Sequence, residues 1–440
     1  MKKFLSVLLI TVSLSGFAQG DHEGAKFRKI DSLMTYLYQN GKFMGSITLR
    51  EKDRIVFTKA YGSADLATKT KATPFTRYKI GGITKMFTAC MVFQLIEEKK
   101  LKPTTKLSEF FPKVKNAENI TIYNLLNHTS GIYSYTADST FISKAGSQQL
   151  RRDMLERVYK YPSVFDPGTK AALSDSNYLL LSYIVQDITH KTYKEAVTER
   201  ILNKAGLKNT TYAGKINPKK NEASSYRYVK DHWQQVPEWH ETAATGVGNL
   251  QSTPEDLTRF MEALWAGKII SKKSVADMAT LDFGYGKGLL NFPFGERKFI
   301  GHSGSIEGFE TVVGYYPKEN FGIALAGNAV NFSFNDIVQG VLSCYYKLPY
   351  RFPVLEKADV DEDRLKQYEG NYGNEKLPFV INVKLVKGKL RVHADEQGTF
   401  YITPLSDNEF IHEGSGVKMT FDTKGFTLDQ GGTTTYFTKK

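Results

Sequence analysis

Apolar residues set the order of elements along this chain. From Phe27 to Gln39 they recur at helical spacing. From Gly45 to Tyr61, Ile47 and Leu49 and then Ile55 and Phe57 alternate with polar neighbours around a Glu51-Lys52-Asp53 turn, the pattern of a hairpin over a core. A polar connection, residues 61–76, delivers the chain to Tyr78-Lys79-Ile80-Gly81-Gly82-Ile83-Thr84-Lys85-Met86-Phe87-Thr88-Ala89-Cys90. This stretch predicts a loop entering a helix. Ile83, Met86, Phe87, Cys90 and Phe93, with Ala89, Val92 and Ile96, make most of the helix circumference apolar, so it is expected to be buried.

Beyond a loop-rich region, a short helix ends in the polar turn Asn127-His128-Thr129-Ser130-Gly131. From Phe165-Asp166-Pro167-Gly168 the chain turns toward residues 169–175 and then a helix carrying Tyr178, Leu179, Leu180, Leu181, Tyr183, Ile184 and Val185. Helical stretches follow at Tyr193–Ala205 and Pro254–Ala266. Ser252 or Thr253 is expected to cap the latter, with Glu255 and Asp256 in its first turn, where the helix dipole favours acids. Strands are expected at Tyr285–Leu290, Lys298–Gly301, Thr311–Tyr316 and Gly322–Ala326, with His302-Ser303-Gly304-Ser305 as a tight turn between strands and a closing helix from Phe334 to Tyr346. Pro349–Asp363, with two prolines and the acidic run Asp359-Val360-Asp361-Glu362-Asp363, reads as a linker. The remainder shows short alternating strands broken by Lys387-Gly388-Lys389, Ser406-Asp407-Asn408, Lys424-Gly425 and Gly431-Gly432, the spacing of a small antiparallel β domain.

At 440 residues the chain exceeds one ordinary domain, and 41% hydrophobic with 24% charged residues is a globular composition. Met1-Lys2-Lys3, the apolar run to Phe17 and the small residues Gly16 and Ala18 predict a secretory signal cleaved near Ala18, hence a periplasmic or secreted product without stable membrane insertion. The expected division is signal peptide 1–18, main domain 19–348, linker 349–364 and β domain 365–440. With only Cys90 and Cys344, stability must come from a core rather than from disulfide staples. The formal charge of +13 is spread along the chain with no basic run, which reads as a solvated surface or an attraction to anionic envelope polymers; nucleic-acid binding is not supported. No His, Cys and acid cluster stands at ligand spacing, so neither metal nor cofactor is expected.

Lys85 is the first candidate for chemistry. A buried ammonium with no acid one helical turn away usually has a remote partner or a lowered pKa. Residue 82, at i and i+3, shares its face at the helix start, where a Ser-x-x-Lys enzyme keeps its nucleophile; here it is Gly82. His128, at a helix end before Thr-Ser-Gly, reads as a capping and hydrogen-bonding element rather than a catalyst.

Over residues 27–346 the chain resembles the serine β-lactamase and penicillin-binding-protein-related hydrolases of the class C type. Besides the stretch around Lys85, the likeness rests on Ala60-Tyr61-Gly62-Ser63-Ala64-Asp65, Leu125-Leu126-Asn127-His128-Thr129-Ser130-Gly131, Pro167-Gly168, Ile201–Leu207, Ser252-Thr253-Pro254-Glu255-Asp256-Leu257, and Gly301-His302-Ser303-Gly304 with Gly308-Phe309. The resemblance implies an α/β (α+β) fold: a mixed antiparallel sheet flanked by helices, a helical region beside it, the site in the cleft between, and a small all-β C-terminal domain. It places the nucleophile at Gly82, an assisting lysine at Lys85, a Tyr-x-Asn element at Leu173, Ser174 and Asp175, and the Lys-Thr-Gly or His-x-Gly element at His302, Ser303 and Gly304. Gly82 has no attacking oxygen, Leu173 has no phenol, and Asp175 puts a charge where an amide is expected. A register shift would put Ser174 in the tyrosine's place, but Pro167-Gly168 and Tyr178-Leu179-Leu180 favour the unshifted alignment.

Glycine keeps its N–H, so main-chain donors at Gly82 and Ser305 are expected to retain an anion-binding pair, with Ser303 and Gly304 beside it. Asp175 near Lys85 would keep the lysine protonated, the opposite of what a general base needs. The leading expectation is therefore a catalytically silent or repurposed member that binds a small peptide-like or carboxylate ligand, cell-wall fragments among them. The alternative is an active esterase, D-peptidase or β-lactamase-like hydrolase in which Lys85, Asp175 and His302 activate a water, or Thr84 or Ser303 attacks. A structural envelope protein whose β domain docks a partner is the third class.

Overall fold

The computed structural model describes residues 17–440 apart from 356–357, 376, 378, 395–397, 413–414 and 431–432. The expected signal peptide lies outside the described residues except for Phe17 and Ala18, which open helix α1 (Phe17–Gln39). The chain divides into two compact units, one of Gly41–Asn331 and one of the segment through Asn40 together with Phe332–Lys440.

The Gly41–Asn331 unit is built on a sheet of β1 (Phe43–Glu51), β2 (Arg54–Tyr61), β3 (Leu290–Phe294), β4 (Arg297–Ile306), β5 (Phe309–Tyr316) and β6 (Phe321–Val330), in the order β3-β4-β5-β6-β1-β2. These neighbours are all antiparallel, and a short pair, Tyr226–Val229 and His232–Gln235, attaches to β6. The β1–β2 hairpin forms as its alternation predicts, yet β1 is buried on both faces. Ser46, Thr48 and Arg50 are enclosed along with Ile47 and Leu49, with Ser46 Oγ 2.7 Å from the Tyr78 hydroxyl.

Helix α2 (Thr84–Glu97) is the buried helix anticipated from its apolar circumference, enclosed from Thr84 to Leu95. The Phe87 and Phe260 rings stack with centroids 4.2 Å apart, a geometry worth about 0.5–1.5 kcal/mol beyond area burial. Gln94 satisfies its buried amide by donating to the Arg200 and Ile269 carbonyls at 3.0 Å each. Helix α3 (Asp175–Thr189) packs on α2. Helix α4 (Pro254–Trp265) is capped by Thr253, whose hydroxyl accepts the Asp256 N–H, and it lies on the sheet, where Arg50 Nε donates to Thr258 Oγ1 at 3.3 Å.

Two strand expectations are corrected. Residues 285–289 are not a strand: Asp282 and Tyr285 exchange backbone hydrogen bonds in a tight turn, and Lys287 N–H goes to the Met278 carbonyl, so β3 starts only at Leu290. His302-Ser303-Gly304-Ser305 is not a turn but the second half of β4, and the chain reverses at Glu307-Gly308. The strand extends so far because β5 pairs with it through Ile306, whereas β3 pairs only as far as Gly301. Residues 302–306 therefore have no β3 neighbour on their other edge.

In the second unit α1 packs on helix α5 (Phe334–Tyr345). The C-terminal β domain is, among the described residues, a closed eight-stranded antiparallel barrel from Gly370–Gly373 to Thr433–Lys439, the last strand pairing with the first. Closure removes free sheet edges and encloses Tyr372, Phe421, Phe426 and Phe437. The acidic run opens a short helix, Glu362–Lys366, capped by Asp361. Cys90 and Cys344 are buried free thiols.

Candidate functional site

The β4 segment beyond Gly301 meets the turn that precedes α2. Gly81–Ile83 forms a single 3₁₀ turn that runs directly into α2. Thr311 on β5 donates to the Ile80 carbonyl at 2.9 Å, which ties the turn to the sheet. The approach is so close that a Cβ on Gly304 would stand 2.0 Å from the Ile80 carbonyl oxygen and 2.8 Å from Gly82 N. Ser305 N in turn lies 2.9 Å from the point a Cβ on Gly81 would occupy. The two amides expected to bind an anion, Gly82 and Ser305, are thus brought side by side by backbone packing that only glycine permits. At Gly82 a Cβ would come within 2.9 Å of the Ser303 carbonyl oxygen and 3.2 Å of His302 Cε1.

Lys85, in the first turn of α2, has its remote partner. Its Nζ lies 2.7 Å from Asp175 Oδ1, an ion pair rather than a well-aligned hydrogen bond, and the two side chains are 5% and 15% exposed. Asp175 is the first residue of α3, where the helix dipole favours an anion. Its N–H donates to Ser134 Oγ at 2.9 Å and its Oδ2 accepts from Thr136 Oγ1 at 2.6 Å. Burial pushes the Asp175 carboxyl up, but the Lys85 charge and the Thr136 hydroxyl outweigh it and hold the group below its ordinary value.

His302 is buried beside position 82, and its Nδ1 lies 2.5 Å from the Ser303 carbonyl oxygen. A carbonyl only accepts, so Nδ1 carries the proton. Burial and the Lys85 charge push His302 down to about 3, leaving a neutral ring. His128 is likewise brought to about 3 by burial and Lys85, and its Nδ1 accepts the Ser174 N–H at 3.1 Å. That is the hydrogen-bonding part anticipated for His128: with its carbonyl accepting Ala172 N–H, it shapes the loop entering α3.

Leu173 points outward, 47% exposed. Ser174 is buried, and its Oγ has no partner. Ser303 and Ser305 are exposed on one face of β4, and Ser305 Oγ donates to Glu310 Oε1 at 2.9 Å. Thr84 Oγ1 is enclosed and accepts the Leu250 N–H at 3.3 Å. Lys85, Asp175, His302, Gly82, Ser303, Gly304 and Ser305 therefore converge on one place, and Leu173 stands beside it on the surface. Sequence reasoning missed Ser134 and Thr136, which hold Asp175. They lie at and within a single 3₁₀ turn, Tyr135–Ala137, that has no motif or periodicity, and no signal points to them. Among the described residues no group of three or more His, Cys, Asp and Glu is arranged to hold a metal ion.

The sequence profile of the Beta-lactamase family matches residues 31–339, most of the chain. This chain belongs to the beta-lactamase family. Among curated relatives it is similar to a teichoic acid D-alanine hydrolase of Staphylococcus aureus, 27% identical over 250 residues, 56% of this chain and 60% of that protein. The match thus spans less than two thirds of that relative's length. Among solved structures it is similar to the D-amino acid amidase of Ochrobactrum anthropi SV3 complexed with D-phenylalanine, at TM-score 0.66 and 23% identity over 73% of this chain and 99% of that one. It is also similar to the octameric penicillin-binding protein homologue from Pyrococcus abyssi, at TM-score 0.68 and 23% identity over 94% and 99% of the two chains. These structural likenesses show the beta-lactamase fold. Among the described residues no helix is long and apolar enough to cross a membrane.

Proposed function

We propose that this beta-lactamase-family protein is an envelope binder of small peptide-like or carboxylate ligands, held in the family cleft without hydrolysis. The observation that carries the reading is the Lys85–Asp175 ion pair at 2.7 Å. With a carboxylate set against its nitrogen at that distance, Lys85 is placed as an ion-pair partner rather than as the acceptor of a nucleophile's proton. No other strong base stands beside it, because His302 and His128 are neutral rings pushed down to about 3. What the site offers is a cation, Lys85, near two adjacent main-chain donors, Gly82 and Ser305, a set suited to a carboxylate or a peptide carbonyl. The names of the relatives, a D-alanine hydrolase and a D-amino acid amidase seen with D-phenylalanine, make D-amino acids and D-amino acid peptides the ligand class to test first.

The test is calorimetric titration with N-acetyl-D-alanyl-D-alanine and with D-phenylalanine, on the protein and on Lys85→Ala, with intact-mass measurement after a fluorophosphonate or penicillin. Saturable binding that Lys85→Ala weakens, with no mass increase, is expected. A covalent adduct mapped to Ser303 would overturn the reading in favour of a hydrolase with a non-standard nucleophile. That second reading draws on the exposure of Ser303 beside Gly82 and on the hydrolytic names of the relatives.

A further inference from the structure

A second buried ion pair lies next to the site, on two residues to which the family resemblance assigns no role. Lys79 ends the short strand Tyr78–Lys79, three residues before Gly82, and Glu307 follows β4, two residues after Ser305. Lys79 Nζ lies 2.6 Å from Glu307 Oε1, with the lysine side chain 4% exposed and the glutamate side chain wholly enclosed. The same Oε1 accepts the Trp239 N–H at 2.7 Å. Lys79 Nζ also donates to the Trp239 carbonyl at 3.4 Å and stands 3.8 Å from Glu238 Oε2. Glu307 Oε2, by contrast, is buried without a partner.

This arrangement is costly in three ways. A carboxylate is enclosed with one oxygen unsatisfied. Glu307 adopts φ 59°, the left-handed region that disfavours any residue with a long side chain. Burial also pushes its carboxyl up in spite of Lys79. Buried ion pairs of this kind are weak stabilisers, and apolar residues of like volume often do as well. What the pair does fix is spacing. It joins the end of β4 to the start of the Ile80–Gly82 turn, and the Thr311–Ile80 hydrogen bond and the Gly304–Gly82 contact close the same seam further along. The Ser305 and Gly82 amides lie inside that seam.

We infer that Glu307 is a positioning residue: through its buried contact with Lys79 it sets the Ser305 amide against the Gly82 amide at the spacing an anionic ligand group requires. The consequence for ligand rests on the cleft-binding reading above, while the position of the amides is measurable without any ligand. The experiment uses the full chain labelled with ¹⁵N-glycine and ¹⁵N-serine, comparing the Gly82 and Ser305 amide resonances in the protein, in Lys79→Met/Glu307→Gln and in Glu307→Asp. The double variant removes both charges while leaving an acceptor for Trp239 N–H, and Glu307→Asp keeps the charge but shortens its reach. Displaced Gly82 and Ser305 resonances in both variants are expected, with a melting temperature of the double variant close to that of the parent and an affinity for N-acetyl-D-alanyl-D-alanine at least about tenfold weaker. Unmoved resonances in Glu307→Asp or in a folded double variant would overturn the inference. So would a collapse of the double variant's melting temperature with Glu307→Asp left like the parent, which would make the pair structural. If the parent protein fails to bind the peptide, the cleft-binding reading falls, and the resonances still decide the position of the amides.

Discussion

Lys85 Nζ and Asp175 Oδ1 stand 2.7 Å apart between two helices, each contributing the charge from its first turn. The contact joins α2 to α3 and sets a carboxylate against the Lys85 ammonium. Its electrostatics therefore bear on stability and, on the proposed reading, on the ligand the cleft would hold.

Replacing Asp175 with Asn leaves Lys85 enclosed without a counter-charge. A loss of about 3 kcal/mol is expected, the lower end for breaking a buried pair, since Asp175 keeps some solvent contact. Chemical denaturation at neutral pH measures it. The acid limb provides a second check. A carboxyl held below its ordinary value contributes stability that is present above about pH 3.9 and is lost as pH falls through the depressed value. Asp175→Asn should lack that contribution, so its stability gap to the parent should narrow with acidification.

The two neutral histidines give a separate pH signature. His128 and His302 are both pushed down to about 3 by burial and by Lys85, while the unfolded chain takes up these protons near pH 6.5. The unfolded state then binds more protons between those values, so stability should fall steadily as pH drops below about 6.5. Thermal melts of His128→Asn between pH 7 and pH 4.5 should show a shallower fall than the parent.

Gly82→Ser alone should not rebuild a hydrolase. Its Cβ meets the Ser303 carbonyl at 2.9 Å, so β4 must shift, at a cost of about 1–3 kcal/mol. Lys85 would still be paired with Asp175. No acylation by penicillin is expected in Gly82→Ser, as read by intact mass, and acylation is expected only when Asp175→Asn and Leu173→Tyr are added.

Gly304→Ala is expected to be more damaging than Gly82→Ser. The added methyl would stand 2.0 Å from the Ile80 carbonyl oxygen, and backbone cannot yield as a flexible side chain does. Melting temperature and binding of N-acetyl-D-alanyl-D-alanine should fall together in this variant.

Much of this site was legible in the chain itself. The apolar circumference of α2 marked Lys85 as buried, and the absence of an acid one turn away pointed to a remote partner, which is Asp175. The Thr253 cap and the β1–β2 hairpin followed from local chemistry. Local chemistry failed where long-range packing decides. Ser-Gly-Ser reads as a turn, yet residues 303–305 stay extended because β5 holds one edge and the Ile80–Gly82 turn lies against Gly304. Residues 285–289 read as part of a strand, yet the N–H groups of Tyr285 to Gly288 are taken by local turns and by Met278. Thr136, Lys79 and Glu307 carry no motif, because what qualifies them is proximity across long stretches of chain.

The most direct measurement is the turnover of D-phenylalanine amide and of a D-alanyl ester by the purified protein, set beside Lys85→Ala. No release above the uncatalysed rate is expected from either protein, together with binding of D-phenylalanine that Lys85→Ala weakens. Multiple turnovers by the parent that disappear in Lys85→Ala would contradict the account, because they would make Lys85 a catalytic group rather than the ion-pair partner of Asp175.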